Sequence, residues 1–176
     1  MFKMLTKSVL ALAVVLTLGA NAEEFKEYPI GEEVEMNNMS IAAVYLKPID
    51  MEPKGIDLAP SLADIHLEAD IKATEGNKNG FAAGEWIPYL TLGYEIKNLD
   101  TGKSKSGNLM PMVAVDGPHY GANIKMLGVG NYEVKFHIDN PSKQGFGRHA
   151  DKVSGVGKWF EPFTAVYKFK YTGAPE

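Results

Sequence analysis

Residues 63–73 read Ala-Asp-Ile-His-Leu-Glu-Ala-Asp-Ile-Lys-Ala, with apolar and polar residues in strict alternation. Successive side chains of a β-strand point to opposite faces of the sheet, so this period of two is typical of a strand with one face in a core and one in water. The segments 132–138 and 163–171 alternate in the same way. The sequence therefore predicts three half-buried strands, each with a solvated polar face.

Less regular strand patterns occupy residues 39–46, 86–97, 108–115 and 122–126, and residues 98–102 have the composition of a turn. Segments rich in proline and glycine separate the remaining strands, at 48–60, 76–84, 116–121 and 140–157. About seven short strands with such turns predict an all-β fold, an immunoglobulin-like sandwich of two antiparallel sheets. No convincing helical period, repeat or linker divides residues 23–176, which we expect to form one domain.

The first 22 residues have the pattern of a cleavable signal peptide. Lys3 and Lys7 precede a short apolar run, and Ala20-Asn21-Ala22 fits the cleavage rule for small residues. The apolar run is about ten residues, whereas a membrane-spanning helix needs about twenty. We expect export to the periplasm, a mature chain that begins at Glu23, and no membrane insertion.

The composition excludes several classes of function. The formal net charge is −4 and no basic cluster is visible, so we expect no nucleic-acid partner. The chain has no cysteine, which excludes thiol catalysis, a thiol redox pair and a blue-copper electron-transfer site. It also contains no nucleophile-elbow, phosphate-loop or dinucleotide-binding motif.

His66 and Glu68 lie two residues apart in the first alternating strand and so share its polar face. An imidazole beside a carboxylate supplies half of a metal site, although a solvated polar face with no such role fits the same pattern. Met110 and Met112, followed by His119 on a predicted turn, form a second cluster. Thioether and imidazole ligands suit copper, above all Cu(I), but methionines in a strand are also common core residues.

His149 lies in the long glycine-containing loop 140–157, and loops longer than about twelve residues are usually functional or disordered. Gly145 and Gly147 allow a close approach of the backbone, while Phe146, Trp159 and Phe160 can hold the loop against the core. His137, the fourth histidine, alternates outward from an ordinary strand and is predicted to be a surface residue.

The chain resembles the nineteen-kilodalton periplasmic proteins of bacterial high-affinity iron transport. The resemblance covers essentially the whole mature sequence and rests on five runs of residues: Asp64-Ile65-His66-Leu67-Glu68-Ala69-Asp70, Leu109-Met110-Pro111-Met112-Val113, Asp116-Gly117-Pro118-His119-Tyr120-Gly121-Ala122-Asn123, Lys143-Gln144-Gly145-Phe146-Gly147-Arg148-His149 and Gly157-Lys158-Trp159-Phe160-Glu161-Pro162-Phe163.

This resemblance implies an immunoglobulin-like homodimer that binds a copper ion and works with an inner-membrane iron permease. It places the copper ligands at His66, Met112, His119 and His149, with Glu68 as the neighbouring acid. It selects Met112 over Met110, which the residue pattern leaves open. Glu68 with Asp64 or Asp70 would suit a harder ion, so iron or manganese at an adjacent site is a further expectation.

We therefore expect a metal-binding accessory protein of iron uptake and not an enzyme. A copper-dependent iron redox enzyme is the first alternative, and it would require an open coordination position and turnover. A periplasmic interaction domain without metal is the second, because the sandwich fold does not determine function.

Overall fold

Nine antiparallel strands make up the fold in a computed structural model that describes residues 26–175. The strands are β1 (Tyr28–Pro29), β2 (Val34–Met36), β3 (Met39–Leu46), β4 (Ile65–Ala73), β5 (Thr91–Asn98), β6 (Ser104–Ala114), β7 (Gly117–Ile124), β8 (Gly130–Asp139) and β9 (Phe163–Tyr171). Two short 3-10 helices, Pro60–Leu62 and Pro141–Gln144, interrupt the loops. The predicted signal peptide, residues 1–22, lies outside the described residues.

The strands form two sheets that share β6. The first sheet has the order β1-β3-β4-β7-β6, with β2 also on β3, and the second has the order β6-β5-β8-β9. Residues 104–109 of β6 pair with β5, and residues 110–114 pair with β7. The strand therefore passes from one sheet to the other between Leu109 and Met110, which places the methionine half of β6 in the first sheet beside β7.

Apolar side chains from both sheets fill the space between them. The largest fully buried ones include Ile41, Ile65, Leu67 and Ile71 of the first sheet and Leu92, Ile96, Tyr132 and Phe136 of the second. Five of them, Ile65, Leu67, Ile71, Tyr132 and Phe136, occupy the apolar positions of the alternating patterns. The prediction of an all-β sandwich is confirmed, and the immunoglobulin-like assignment within that class stays a prediction.

The long loop between β8 and β9 is fixed to the core by Phe160, as expected, whereas Phe146 contacts the exposed ring of Tyr89 and not the core. Phe146 stacks on Tyr89 with ring centroids 4.7 Å apart and contacts Trp159, while Phe160 packs edge-on against Phe163. Among residues 26–175, no helix has the length and apolar character needed to span a bilayer.

Three details of the predicted strands are wrong. The segment 86–90 is not part of β5, since Tyr89 has a positive φ of 60° and strand pairing begins at Thr91. The predicted turn at 116–121 is mostly strand, because β7 starts at Gly117 and only Val115 and Asp116 link it to β6. The polar face of β4 is not solvated at His66 and Glu68, which are both buried.

Candidate metal centre

Three neighbouring strands of the first sheet bring the candidate ligands onto one face. In the observed register His66 of β4 lies opposite Asn123 of β7, Glu68 lies opposite Gly121, and Met112 of β6 lies opposite His119. Directly opposed residues of antiparallel strands share a face. Side chains two residues apart also share it, so the register alone assembles His66, Glu68, Met112 and His119 around position 121.

Gly121 provides the space in which these side chains meet. A Cβ atom built on this residue would lie 2.5 Å from Nε2 of His66 and 3.2 Å from Sδ of Met112. The first distance is far below van der Waals contact, so glycine is required here for a close approach of side chains to the backbone. The donor atoms of His66 and Met112 thus point into one hollow above Gly121.

Glu68 lies between the two histidines of this hollow. Its Oε1 is 3.4 Å from Nε2 of His66 and 3.2 Å from Nε2 of His119, and all three side chains are at most 2% exposed. Neither Nε2 atom has a hydrogen-bond partner among the described residues, and the same is true of Glu68 Oε2. Buried polar atoms are almost always paired, so the two unpaired imidazole nitrogens beside one carboxylate are available to bind a ligand.

The electrostatic state of the hollow suits a cation. Burial lowers the pKa of His66 to about 4 and lowers that of His119, so both imidazoles are neutral with a free lone pair. Burial, followed by the charges of Glu27, Asp70 and Asp116, raises the pKa of Glu68 to about 8. A bound cation would reverse this penalty by attracting the ionised carboxylate.

The structure brings together His66, Glu68, Met112 and His119 but not His149. His149 is exposed in the β8–β9 loop, where its Nδ1 is 2.8 Å from Oγ of Ser154, and it is outside the cluster of donor atoms. His137 is an exposed neighbour of Thr164, as predicted for a surface histidine. The ligand roles themselves stay predictions.

A second group of candidate ligands shares Glu68. Carboxylate oxygens of Glu27, Glu68 and Asp70 all lie within 4.8 Å of one another. Asp70 was anticipated from the strand alternation, whereas Glu27 was missed because it precedes β1 and belongs to no periodic pattern. Asp64, the other acid considered, is directed elsewhere: it accepts hydrogen bonds from Lys125 and the Met126 backbone.

The two groups differ in chemistry. Imidazole nitrogen and thioether sulfur favour borderline or soft ions such as copper, and three carboxylates favour harder ions such as Mn²⁺ or iron. The hollow above Gly121 therefore fits a copper ion, on the evidence of its donor types and its orphaned nitrogens. His66 and His119 would supply nitrogen ligands, with Met112 as the sulfur ligand.

Comparison with known proteins reveals clear relatives. The family described as "Fe2+ transport protein" matches residues 24–173. A UPF0423 protein of Brucella abortus is 52% identical over 165 residues, which are 92% of this chain and 89% of that protein.

Two solved proteins are more similar still. The copper-reconstituted P19 protein of Campylobacter jejuni is 66% identical, with a TM-score of 0.85, and the match covers 86% of this chain and 100% of that one. FetP of uropathogenic E. coli, expressed in the periplasm, is 65% identical, with a TM-score of 0.84 over 85% of this chain and 99% of that one. Copper-bound P19 variants replace a glutamate, a methionine or an aspartate.

We predict that Glu68→Gln stabilises the metal-free protein at neutral and higher pH. The pKa of this carboxyl group is about 8 in the folded protein, against an ordinary value of 4.5. Its contribution to the free energy of unfolding is therefore complete below pH 4.5 and is lost as the pH rises from 4.5 to 8. Glutamine resembles the neutral acid and has no such loss. The advantage of the variant should grow between pH 4.5 and 8, by at most about 1.4 kcal/mol per pH unit.

Urea unfolding of chelator-treated protein at several pH values measures this difference. Glu32→Gln, at an exposed position before β2, is the control and should track the wild type. Destabilisation on the acid side arises because His66 binds a proton below pH 6.5 in the unfolded chain but only near pH 4 in the folded one, and all three proteins share it. Parallel curves for Glu68→Gln and wild type across this window would contradict the prediction.

Proposed function

Because the chain belongs to the Fe2+ transport protein family, we propose that it is an exported periplasmic copper-binding protein that assists iron uptake. The observation that carries the proposal is the hollow above Gly121, where two unpaired imidazole nitrogens and a thioether sulfur converge. Copper is the ion that this donor set suits best, and the thioether favours its Cu(I) state.

The variants of the Campylobacter protein support the same assignment. Their glutamate precedes the methionine by 44 residues, and their aspartate follows the methionine by four. Glu68, Met112 and Asp116 have the same spacing in this chain. The match supports Met112 over Met110 as the sulfur ligand and Glu68 as the acid beside the copper ion.

We propose that a homodimer completes the copper site. His149 is exposed and stands apart from the other donors of its own chain, although the family resemblance assigns it to the ligand set. A second copy can satisfy both observations if its β8–β9 loop supplies His149 to the hollow of the first. Val113 and Val115 follow Met112 in the sequence, and Val153 lies in the same loop as His149. All three are exposed apolar residues that such an interface could bury.

We further propose that iron, with manganese as its chemical mimic, occupies the carboxylate group formed by Glu27, Glu68 and Asp70. Hard divalent ions prefer oxygen ligands, and this group lies directly beside the copper hollow because the two share Glu68. The protein would then hold iron in the periplasm for transfer to an inner-membrane iron permease.

The shared residue also favours a second candidate, a copper-dependent iron redox enzyme, since adjacent ions with a common carboxylate are placed for electron exchange. We favour the binding protein, which needs no turnover. Following the oxidation state of excess Fe²⁺ over time with copper-loaded protein separates the two, provided that dissolved oxygen is present to reoxidise the copper after each electron it accepts. Conversion of no more than one iron per copper supports a binding role, and multiple turnovers support the enzyme.

Single alanine changes at His66, Met112, His119 or His149 should each weaken copper binding by more than about 100-fold. Loss of a residue that only hydrogen-bonds to a metal ligand lowers affinity by up to about 100-fold, and loss of a ligand itself should cost more. His137→Ala should bind copper like wild type, because His137 is exposed and remote from the donor cluster. A competition titration against a chelator of known affinity measures all five proteins. Equal losses in His137→Ala and His119→Ala would refute this ligand set.

Mixed dimers test whether His149 comes from the partner. A dimer of one His66→Ala chain and one His149→Ala chain retains one intact site if His149 acts across the interface, and none if it acts within its own chain. We expect tight copper binding to reappear on mixing, at one ion per mixed dimer. Binding that stays as weak as in either parent would contradict the shared site.

Gly121→Ala should abolish tight copper binding, because the added methyl group occupies the hollow between His66 and Met112. Gly93→Ala is the matched control: it is also a strand glycine, but its new Cβ would meet its nearest neighbour at an ordinary 3.7 Å. Copper titration with thermal unfolding measures binding and folding separately. A Gly121→Ala protein that binds copper normally would show that the hollow is not the metal site.

Glu27→Gln and Asp70→Asn should weaken Mn²⁺ binding while leaving copper affinity within about threefold, because these residues contribute only to the oxygen-rich group. Asp64→Asn is the control, since Asp64 is bound to Lys125 and the Met126 backbone. Electron paramagnetic resonance of free Mn²⁺ gives the affinity. Equal losses of copper and manganese in Glu27→Gln would argue against two distinct sites.

A further inference from the structure

The side chain of Asn123 makes a hydrogen-bond network that fixes which way its amide points. Its Nδ2 donates to the carbonyl oxygens of Ile49 and Leu58, at 2.8 and 2.7 Å, and its Oδ1 accepts from the Ile49 backbone N–H at 3.1 Å. A flipped amide would place its NH₂ against the Ile49 N–H and its oxygen against two carbonyls. The network therefore excludes the flipped orientation.

The fixed oxygen in turn determines where the proton of His66 lies. Oδ1 of Asn123 is 3.0 Å from Nδ1 of His66, and both side chains are buried. Oδ1 is a carbonyl oxygen with no hydrogen to donate, so it must accept a hydrogen bond from His66 as it does from Ile49, and Nδ1 must carry the proton. Neutral His66 then has its lone pair on Nε2, the atom that points into the hollow above Gly121.

The segment from Ile49 to Leu58 holds this amide in place. It lies between β3 and β4 without regular secondary structure, yet it supplies three of the hydrogen bonds to the Asn123 side chain. A fourth bond joins the backbone N–H of Asn123 to the carboxylate of Asp57 at 2.7 Å. The segment thus reaches the metal site through one asparagine, although none of its residues is a candidate ligand.

We propose that Asn123 is a positioning residue that holds His66 as the Nδ1–H tautomer with its ring aimed at the metal, and that the segment 49–58 fixes the Asn123 amide for this purpose. The role toward a metal rests on the proposed function, whereas the His66 tautomer can be measured without any metal. Hydrogen bonds to the distal nitrogen of a ligand histidine set its tautomer and orientation, and their loss typically lowers metal affinity about 10- to 100-fold.

The tautomer can be read in the metal-free protein, independently of copper. With nitrogen-15 in the histidine rings, long-range proton–nitrogen correlation spectra distinguish a protonated Nδ1 from a protonated Nε2. In wild type we expect His66 to be protonated at Nδ1 only. A protonated Nε2 on His66 would overturn the proposal whatever the protein binds.

Two variants test the role of the asparagine. Asn123→Ala should give a mixture of His66 tautomers and a 10- to 100-fold loss of copper affinity, with the His119 signals unchanged. Asn123→Asp keeps an oxygen toward His66 but sets its second oxygen against the carbonyls of Ile49 and Leu58, so the Nδ1–H tautomer should survive while the segment 49–58 loosens. If neither variant folds, the His66 tautomer of the wild-type protein decides the question. The control is Asn131→Ala, at a residue bonded to Asp100 far from the site.

The outcomes distinguish the role of Asn123 from the proposed copper binding. Lower copper affinity in Asn123→Ala with an unchanged His66 tautomer would reduce Asn123 to a packing residue and overturn the inference. An Nδ1–H tautomer in a protein that binds no copper would leave the inference about Asn123 intact and remove the proposed function instead.

Discussion

The burial of Glu68 between two imidazole nitrogens is the constraint on which the site depends. An ionised carboxylate away from water is costly unless it is paired, and the metal-free protein meets this cost by keeping the acid and both histidines uncharged. Neutral imidazoles are also the form that binds metal. The same burial that disfavours the ionised carboxyl group therefore keeps the nitrogen lone pairs available. A cation in the hollow would bind these lone pairs and stabilise the carboxylate at the same time.

The surrounding fold holds these groups at short range and leaves the Nε2 atoms of His66 and His119 without a hydrogen-bond partner among the described residues. The register of the paired strands determines which side chains share the face of the site. A slip of one residue would turn every side chain of that strand to the opposite face. The change of sheet at Leu109 and Met110 brings Met112 beside β7, and the missing side chain at Gly121 leaves room for it. A site built on paired strands is more rigid than one built on loops.

Much of this arrangement can be predicted from the sequence, and the failures have physical causes. Alternation identified three strands, β4, β8 and β9, and placed His66 and Glu68 on one face. It predicted that this face is solvated, because a period of two cannot reveal what packs over a strand. Proline and glycine at 117–121 indicated a turn, whereas Gly121 is needed for close approach and β7 pairs throughout. Glu27 lies outside any periodic pattern. His149 was selected by family resemblance, and a single chain gives no geometric reason for its choice.

A carboxylate common to the two groups of candidate ligands would couple the ions proposed for them. On the proposed function, copper in the hollow would favour ionised Glu68, which gives the oxygen-rich group its third charged ligand. Coulomb repulsion between neighbouring cations acts in the opposite sense and is strong at short range in a poorly solvated site. The balance depends on charge: Cu(I) repels a neighbouring divalent ion less than Cu(II) does, and Met112 favours Cu(I). On the proposed function the thioether would do more than select copper, because by favouring Cu(I) it would keep the charge of the first ion low enough for a second to bind beside it.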